Sequence, residues 1–105
     1  MEPMIYLVDT ATVEPADVDP YLETLFGAVV PVMERAGAVF EHCRTTSDDL
    51  GRAVDVEVTW SFADNATWNA IRRNLVLDVE WHVCADVLGR LRRSGRRRFL
   101  RPVAR

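Results

Sequence analysis

Residues 54–62 read Val-Asp-Val-Glu-Val-Thr-Trp-Ser-Phe, and apolar and polar side chains alternate through the whole stretch. Successive side chains of a β-strand point to opposite faces, so this alternation predicts a strand with one apolar and one polar face. Such a strand is typical of an antiparallel sheet that other structure covers on one side only. The stretch therefore predicts a sheet whose apolar face packs against helices.

The residues just before this strand predict its hairpin partner. Residues 38–46 read as a second strand, and the composition of residues 47–52 is typical of a turn. Placing Leu50-Gly51 at the tip of the turn gives three opposite pairs, which are Arg44 and Glu57, His42 and Thr59, and Cys43 and Val58. A slip of one residue would mix polar and apolar side chains on both faces, so we expect this register.

This register separates the side chains of the predicted hairpin into two sets. One face carries the polar set, which is His42, Arg44, Asp55, Glu57 and Thr59. The other face carries the apolar set, which is Val39, Cys43, Val56, Val58 and Trp60. Glu41 falls on the apolar face, where it is either solvated near the strand edge or a carboxylate inside a pocket. Asp9 is ambiguous in the same way, because neither alternation of its own stretch is clearly polar.

The first third of the chain predicts a strand followed by a helix. Residues 4–13 are rich in β-branched and apolar side chains, which favour a strand. Residues 17–36 carry apolar side chains at intervals of three and four, which predicts an amphipathic helix with Asp19 as its N-cap. Pro31 interrupts this helix, because proline removes a backbone donor and its ring clashes with the carbonyl four residues earlier. We therefore expect a kink or break near Val30.

The last third of the chain predicts two helices and a short final strand. Residues 65–75 predict a helix that Asp64 caps, and the apolar spacing that follows predicts a second helix, which Asp78 caps. We expect this second helix to end at residues 94–95, where Ser and Gly follow each other. Residues 97–103 predict the last strand.

The predicted order of elements is β, α, β, β, α(α), β. Helices on one face of an antiparallel sheet form a two-layer α+β sandwich, and the split βαβ arrangement is the standard solution for this order. A length of 105 residues corresponds to one domain. The sequence therefore predicts a single ferredoxin-like βαββαβ domain that spans residues 1–105.

Charge is distributed unevenly along the chain. Residues 1–71 hold thirteen acidic residues and three arginines, whereas residues 72–105 hold ten arginines and three acidic residues. An arginine cluster can indicate nucleic-acid binding, but the net charge is −3, no RNA-binding motif is present and aromatics are not interleaved. We expect no nucleic-acid partner, and we expect these arginines to pair with the acidic N-terminal part, within one chain or between chains.

Several other classes of function have no support in the sequence. Cys43 and Cys84 lack metal-ligand spacing and read as reduced thiols, and His82 reads as a surface or capping residue. No apolar run approaches the ~18 residues of a membrane span, and the first residues lack the pattern of a signal peptide. We expect no metal, no cofactor, no membrane contact and a cytoplasmic location.

Four stretches carry a resemblance to a known family. They are MIYLVDTATV (4–13), VVPVMERAG (29–37), VEVTWSFADNATWNAIRRNL (56–75) and SGRRRFLRPV (94–103). They resemble small NIPSNAP-like proteins of the dimeric α+β barrel superfamily. The resemblance implies a homodimer in which two sheets pack face to face, with a pocket between the sheet and the helices of each protomer. Members of that superfamily include cofactor-free monooxygenases, cyclases and haem-degrading enzymes, so the fold does not specify the function.

The polar face of the hairpin supplies the candidate catalytic residues. If this face meets a partner sheet, His42 can act as an acid or base and Arg44 can bind an anion beside Glu57. The alternative is that Arg44 and Glu57 form a cross-strand ion pair or part of a dimer network.

The apolar face supplies a candidate pocket. A bend of the first helix near Pro31 would lift its end from the sheet and open a cleft. The residues predicted for this cleft are Tyr21, Val29, Met33, Val58, Trp60 and Trp68, with Trp81 as the alternative to Trp68. The alternative use of these side chains is core packing, which is the commoner role of buried aromatics.

These observations predict a small-molecule-binding or catalytic dimeric α+β barrel protein of bacterial metabolism that acts on an apolar or aromatic compound. A catalytic version would be a cofactor-independent monooxygenase, isomerase or cyclase, in which the pocket positions a reactive substrate. The alternative is a non-catalytic module that binds a ligand or a protein.

Overall fold

A four-stranded antiparallel sheet forms one layer of the protein. The computed structural model describes residues 4–46 and 51–104. In chain order the strands are β1 (Ile5–Val13), β2 (Val39–Thr45), β3 (Val54–Phe62) and β4 (Arg92–Leu100). They lie side by side in the order β2-β3-β1-β4, and every neighbouring pair is antiparallel. This is the ferredoxin-like α+β arrangement, so the predicted fold class is confirmed.

Helices form the second layer. In the described part of the chain they are α1 (Val18–Thr24), α2 (Val30–Ala36), α3 (Asn65–Val76) and α4 (Val79–Leu91). A 3₁₀ turn, Pro15–Asp17, precedes α1, and a π-helical turn, Leu25–Val29, joins α1 directly to α2. The hydrophobic core lies between these helices and one face of the sheet, and its largest fully buried side chains are Trp60, Leu7, Met33 and Ile71.

Residues 54–62 fold as their alternating pattern predicts. β3 begins and ends at the predicted residues, and its even-numbered apolar side chains are buried against the helices. The predicted hairpin register is also confirmed, because β2 and β3 place Arg44 opposite Glu57, His42 opposite Thr59 and Cys43 opposite Val58. Most of the predicted turn, residues 47–50, lies outside the described residues.

The start of β2 departs from the prediction because of a β-bulge. The register shifts between Phe40 and His42, so Glu41 is an extra residue in β2. Phe40 rather than Val39 therefore packs on the helix-facing side, and Val39 is 51% exposed on the other face. The assignment of Val39 to the apolar face was wrong, since strict alternation fails across a bulge. Glu41 is exposed and accepts a hydrogen bond of 2.6 Å from the Ser61 hydroxyl.

The predicted N-cap of the first helix was wrong. α1 begins at Val18, so Asp19 lies inside the first turn of the helix rather than before it. The physical reason is the 3₁₀ turn, which leads into α1 without an extended capping residue; Asp17 donates its backbone N–H to Glu14 over 2.9 Å. The caps of the later helices are confirmed, since the side chains of Asp64 and Asp78 accept hydrogen bonds from the backbone N–H groups of Thr67 and Glu80.

The junction between α4 and β4 also differs from the prediction. The helix ends at Leu91 and the strand begins at the next residue, so Ser94 and Gly95 lie within β4 rather than after the helix. Backbone pairing with β1 compensates for the weak strand propensity of these two residues. The strand ends at Leu100, before the predicted end. Both cysteines are free thiols, as expected.

Candidate functional site

A cavity of about 270 Å³ lies between the helix-facing side of the sheet and the helices. Strands β1, β3 and β4 form its floor, and α1, the π turn, α2 and α4 cover it. The apolar side chains that line it are Ala11, Leu25, Val29, Met33, Val58, Trp60, Trp81, Ala85 and Leu88. The polar and charged residues that line it are Asp9, Thr10, Tyr21, Arg92, Arg96 and Arg97.

Five of the six residues predicted for a pocket line this one cavity. They are Tyr21, Val29, Met33, Val58 and Trp60. Trp68 does not line it. Its ring stacks on Phe62, with 5.4 Å between centroids, and meets Phe99 edge-on. The structure brings these five residues together around one cavity. Ligand binding by them stays a prediction.

The π turn before Pro31 shapes the roof of this cavity. The backbone N–H of Val30 bonds to the carbonyl of Leu25, five residues earlier, which widens the helix by one residue. A widened turn relieves the clash that proline would make with a regular α-helical turn, and such turns occur frequently at functional sites. Both Leu25 and Val29, the first and last residues of the turn, face the cavity. The predicted irregularity near Val30 is thus a π turn.

An ion pair that the sequence analysis did not place in the pocket lies on the cavity floor. β1 and β4 place Asp9 opposite Arg97, and the guanidinium donates to the carboxylate over 2.8 and 3.2 Å. The same guanidinium lies 5.4 Å from the centroid of the Trp68 ring, within the range of a cation–π interaction. Trp68 therefore contributes to the site indirectly, by supporting Arg97.

Two signals in the sequence pointed toward this ion pair. Asp9 breaks an apolar stretch, and β4 lies in the arginine-rich part of the chain. The expected pairing of these arginines with the acidic N-terminal part is confirmed by Arg97 with Asp9 and by Arg93 with Glu14, which approach to 2.8 and 3.3 Å. The particular partners could not be predicted because the start of β4, which sets its register against β1, was placed too late.

Tyr21 reaches the cavity from α1 and is 5% exposed. Burial raises the pKa of its hydroxyl, because the charged phenolate loses solvation; the positive charge of Arg92 acts in the opposite direction, and the negative charge of Asp9 raises the pKa further. The hydroxyl is therefore protonated at neutral pH. It can donate a hydrogen bond to a group inside the cavity.

The predicted catalytic residues lie on the opposite face of the sheet, which we call the open face. Arg44 donates to Glu57 over 3.1 Å from Nε and 2.5 Å from a terminal nitrogen, so these two side chains form the predicted cross-strand ion pair. His42 is the next residue of β2 on that face, opposite Thr59. None of the three lines the cavity. A catalytic role for them stays a prediction.

Two further features of the described residues concern metal sites and membrane-spanning helices. Across residues 4–46 and 51–104, no group of three or more His, Cys, Asp or Glu side chains is arranged to hold a metal ion. No helix in the same ranges is long and apolar enough to cross a membrane. His82 is exposed and its ring Nε2 lies 2.8 Å from the carbonyl oxygen of Val76, at the end of α3, in keeping with the predicted capping role.

The fold and the cavity define a ferredoxin-like α+β sandwich with a partly open cavity between its layers. Solved structures of NIPSNAP proteins share this fold. A NIPSNAP family protein from Agrobacterium tumefaciens superposes with a TM-score of 0.83 at 19% identity, over 98% of this chain and 89% of that one. A NIPSNAP domain protein from Burkholderia xenovorans gives 0.81 at 20% identity, over 95% of each chain. The predicted resemblance to NIPSNAP proteins is thus confirmed at the level of the fold.

More distant structures include an oxygenase. A mutant of SnoaB, a cofactor-independent oxygenase from Streptomyces nogalater, superposes with a TM-score of 0.60 at 18% identity, over 97% of this chain and 93% of that one. No protein-family model and no curated protein sequence matches the chain. At identities this low, the superpositions establish a common fold only. The chemistry of the site follows from its own residues.

Proposed function

We propose that the protein binds a small aromatic molecule in the cavity between its sheet and its helices. The observation that carries this proposal is the cavity itself, in which aromatic and aliphatic side chains surround a few converging polar groups. That composition is typical of small-molecule sites. Its volume of about 270 Å³ lies between the roughly 150 Å³ that holds benzene and the larger pockets that hold drug-sized ligands. The space suits one or two fused rings.

The catalytic form of this proposal is cofactor-independent oxygenation, isomerisation or cyclisation. In such reactions the pocket orients a reactive substrate and one acid–base group moves a proton. The Tyr21 hydroxyl is the neutral acid in the cavity, whereas Asp9 is engaged by Arg97. The alternative is a non-catalytic binding protein that uses the same cavity. Product formation from a bound hydroxylated bicyclic aromatic under air distinguishes the two.

The binding proposal is tested by calorimetric titration with 2-naphthoate and with its neutral counterpart 2-naphthamide. We expect at least one probe to bind the wild-type protein. Val29→Trp should abolish this binding, since the larger side chain fills the cavity. Phe26→Trp is the matched control, because Phe26 lies in the same π turn but is 49% exposed and does not line the cavity. Failure of both probes to bind the wild-type protein would contradict the proposal.

We further propose that the open face of the sheet is covered by a second copy of the chain. Support comes from Val39 and Leu100, which are 51% and 43% exposed on this face, and from the limited surface that a chain of 105 residues can bury alone. Sedimentation at micromolar concentration should give twice the chain mass. A monomer at every concentration would overturn the barrel assembly and leave the cavity proposal standing.

A further inference from the structure

Arg92 reaches the cavity because β4 is irregular at its start. The register between β1 and β4 shifts between Thr12 and Val13, so that Val13 lies opposite Arg92 and Arg93 is the extra residue. A bulge of this kind re-aims side chains. Arg92 joins the helix-facing side and lines the cavity, whereas Arg93 pairs with Glu14 outside it. Without the shift, Arg93 would occupy the helix-facing position opposite Val13.

The absence of a side chain at Gly95 leaves room for the Arg92 guanidinium. Gly95 also lies on the helix-facing side of β4, and a Cβ atom there would come within 2.8 Å of an Arg92 terminal nitrogen. The guanidinium therefore lies against the bare backbone of the strand. A residue with a side chain at position 95 would have to displace it. Glycine within a strand often marks such a close approach.

One positive charge at the cavity, on the exposed residue Arg92, has no carboxylate partner among the described residues. Arg96 also lines the cavity, but it lies opposite Thr10, at a position of β4 that belongs to the open face. Arg97 is neutralised by Asp9, but Arg92 forms no ion pair or side-chain hydrogen bond with any of the described residues. The Tyr21 hydroxyl lines the same cavity and forms no side-chain hydrogen bond among the described residues, and the positive charge of Arg92 acts against the rise of its pKa. One cationic donor, Arg92, and one neutral donor, Tyr21, thus line the same cavity as the Asp9–Arg97 ion pair.

We infer that the cavity selects aromatic compounds that carry a carboxylate or a comparable anionic oxygen group, which Arg92 binds while the Tyr21 hydroxyl donates a second hydrogen bond. The inference rests on the proposed ligand-binding function and supplies its ligand class. A guanidinium pairs with a carboxylate through charge-assisted hydrogen bonds, which are roughly twice as strong as neutral ones. The aromatic part of the ligand would lie among Trp60, Trp81 and Met33.

The test compares the affinities of 2-naphthoate and 2-naphthamide, which have nearly the same shape and differ in charge. The wild-type protein should bind the naphthoate about tenfold more tightly or better, as expected for a hydrogen bond to a charged group. Arg92→Met should remove this preference by weakening naphthoate binding about tenfold, and should leave naphthamide binding within about twofold. Arg93→Met is the matched control and should change neither affinity by more than about twofold.

Gly95→Ala provides a second variant that keeps every charge. Its new methyl group should push the Arg92 guanidinium away and weaken naphthoate binding selectively, by less than Arg92→Met does. Circular dichroism checks that each variant is folded. Equal binding of both probes by the wild-type protein, or unchanged naphthoate binding by Arg92→Met, would overturn this inference while leaving the pocket intact. If neither probe binds the wild-type protein, the proposed function fails and the inference fails with it.

Discussion

Each face of the sheet carries one cross-strand pair of an arginine and a carboxylate. On the open face Arg44 of β2 pairs with Glu57 of β3, and on the helix-facing side Arg97 of β4 pairs with Asp9 of β1. The chemistry is the same, but the surroundings differ. Polar side chains such as Thr10 and Thr12 lie beside the first pair, and an apolar cavity lies beside the second.

The comparison shows that the face on which a charge lies says more about its role than the charge itself. A charged residue on a polar face fits the local pattern and is explained by solvation or by pairing. A charged residue on an apolar face violates the pattern, and such violations are expected at functional or strained positions. Asp9, Arg92 and Arg97 all lie on the helix-facing side, and all three line the cavity.

The largest expected contrast between the faces is at two neighbouring residues of β3. Trp60 faces the helices and Thr59 the open face, and they are 2% and 6% exposed. Trp60→Ala should lower the free energy of unfolding by about 3–5 kcal/mol, because a large buried side chain is lost. Thr59→Ala should lower it by about 1 kcal/mol. Urea denaturation of both variants measures the difference, and equal losses would contradict the assignment of the core to the helix-facing side.

Breaking the two ion pairs sharpens the comparison and tests the assembly. If a second copy covers the open face, Glu57→Ala leaves a buried guanidinium unpaired and should cost about 2–4 kcal/mol. Asp9→Ala breaks a pair whose side chains are 34% and 43% exposed, so it should cost about 1 kcal/mol or less. Thermal unfolding at several protein concentrations measures both. A Glu57→Ala variant with the wild-type melting temperature would show that the open face is in solvent.

The smallest expected effect is electrostatic and concerns Tyr21. Burial raises the pKa of its hydroxyl, so the phenolate should form at a pH above the ordinary tyrosine pKa of about 10. A spectroscopic pH titration of the wild-type protein, from which that of Tyr21→Phe is subtracted, measures this pKa. Arg92→Met should raise this pKa further, since the positive charge that favours the phenolate is removed. Since folding favours the neutral form, this contribution to stability is present below about pH 10 and is lost as the pH rises. Ionisation of Tyr21 at the ordinary pKa would place it in solvent.

The sequence predicted the sheet and much of the cavity wall from side-chain periodicity. The alternation along residues 54–62 fixed which side chains of β3 meet the helices, and the polar pattern of β2 fixed the register of the hairpin. Val29 and Met33 follow from the helical spacing, and Val58 and Trp60 follow from the strand. These side chains converge because both elements are regular and each presents its apolar side to the other.

The prediction failed where a local irregularity changed the phase of a strand. The bulge at Glu41 moved Val39 to the open face, and the bulge at Arg93 turned Arg92 toward the cavity. The run Arg-Arg-Ser-Gly-Arg-Arg-Arg (92–98) has no hydrophobic periodicity. Its sequence therefore predicts neither a strand nor which side chains would face the helices. Arg92 and Arg97 of the candidate site were therefore missed.

The sequence by itself determined the order of elements, the fold class, the hairpin register and four of the apolar cavity residues, because these follow from periods of two and of three to four along single elements. Only the tertiary structure decided which charges reach the cavity. β1 and β4 pair residues that are 79 to 94 positions apart in the chain, and a bulge shifts their register between Thr12 and Val13. Backbone pairing, which does not depend on side-chain polarity, therefore placed Asp9 against Arg97 and turned Arg92 toward the cavity that Tyr21 lines.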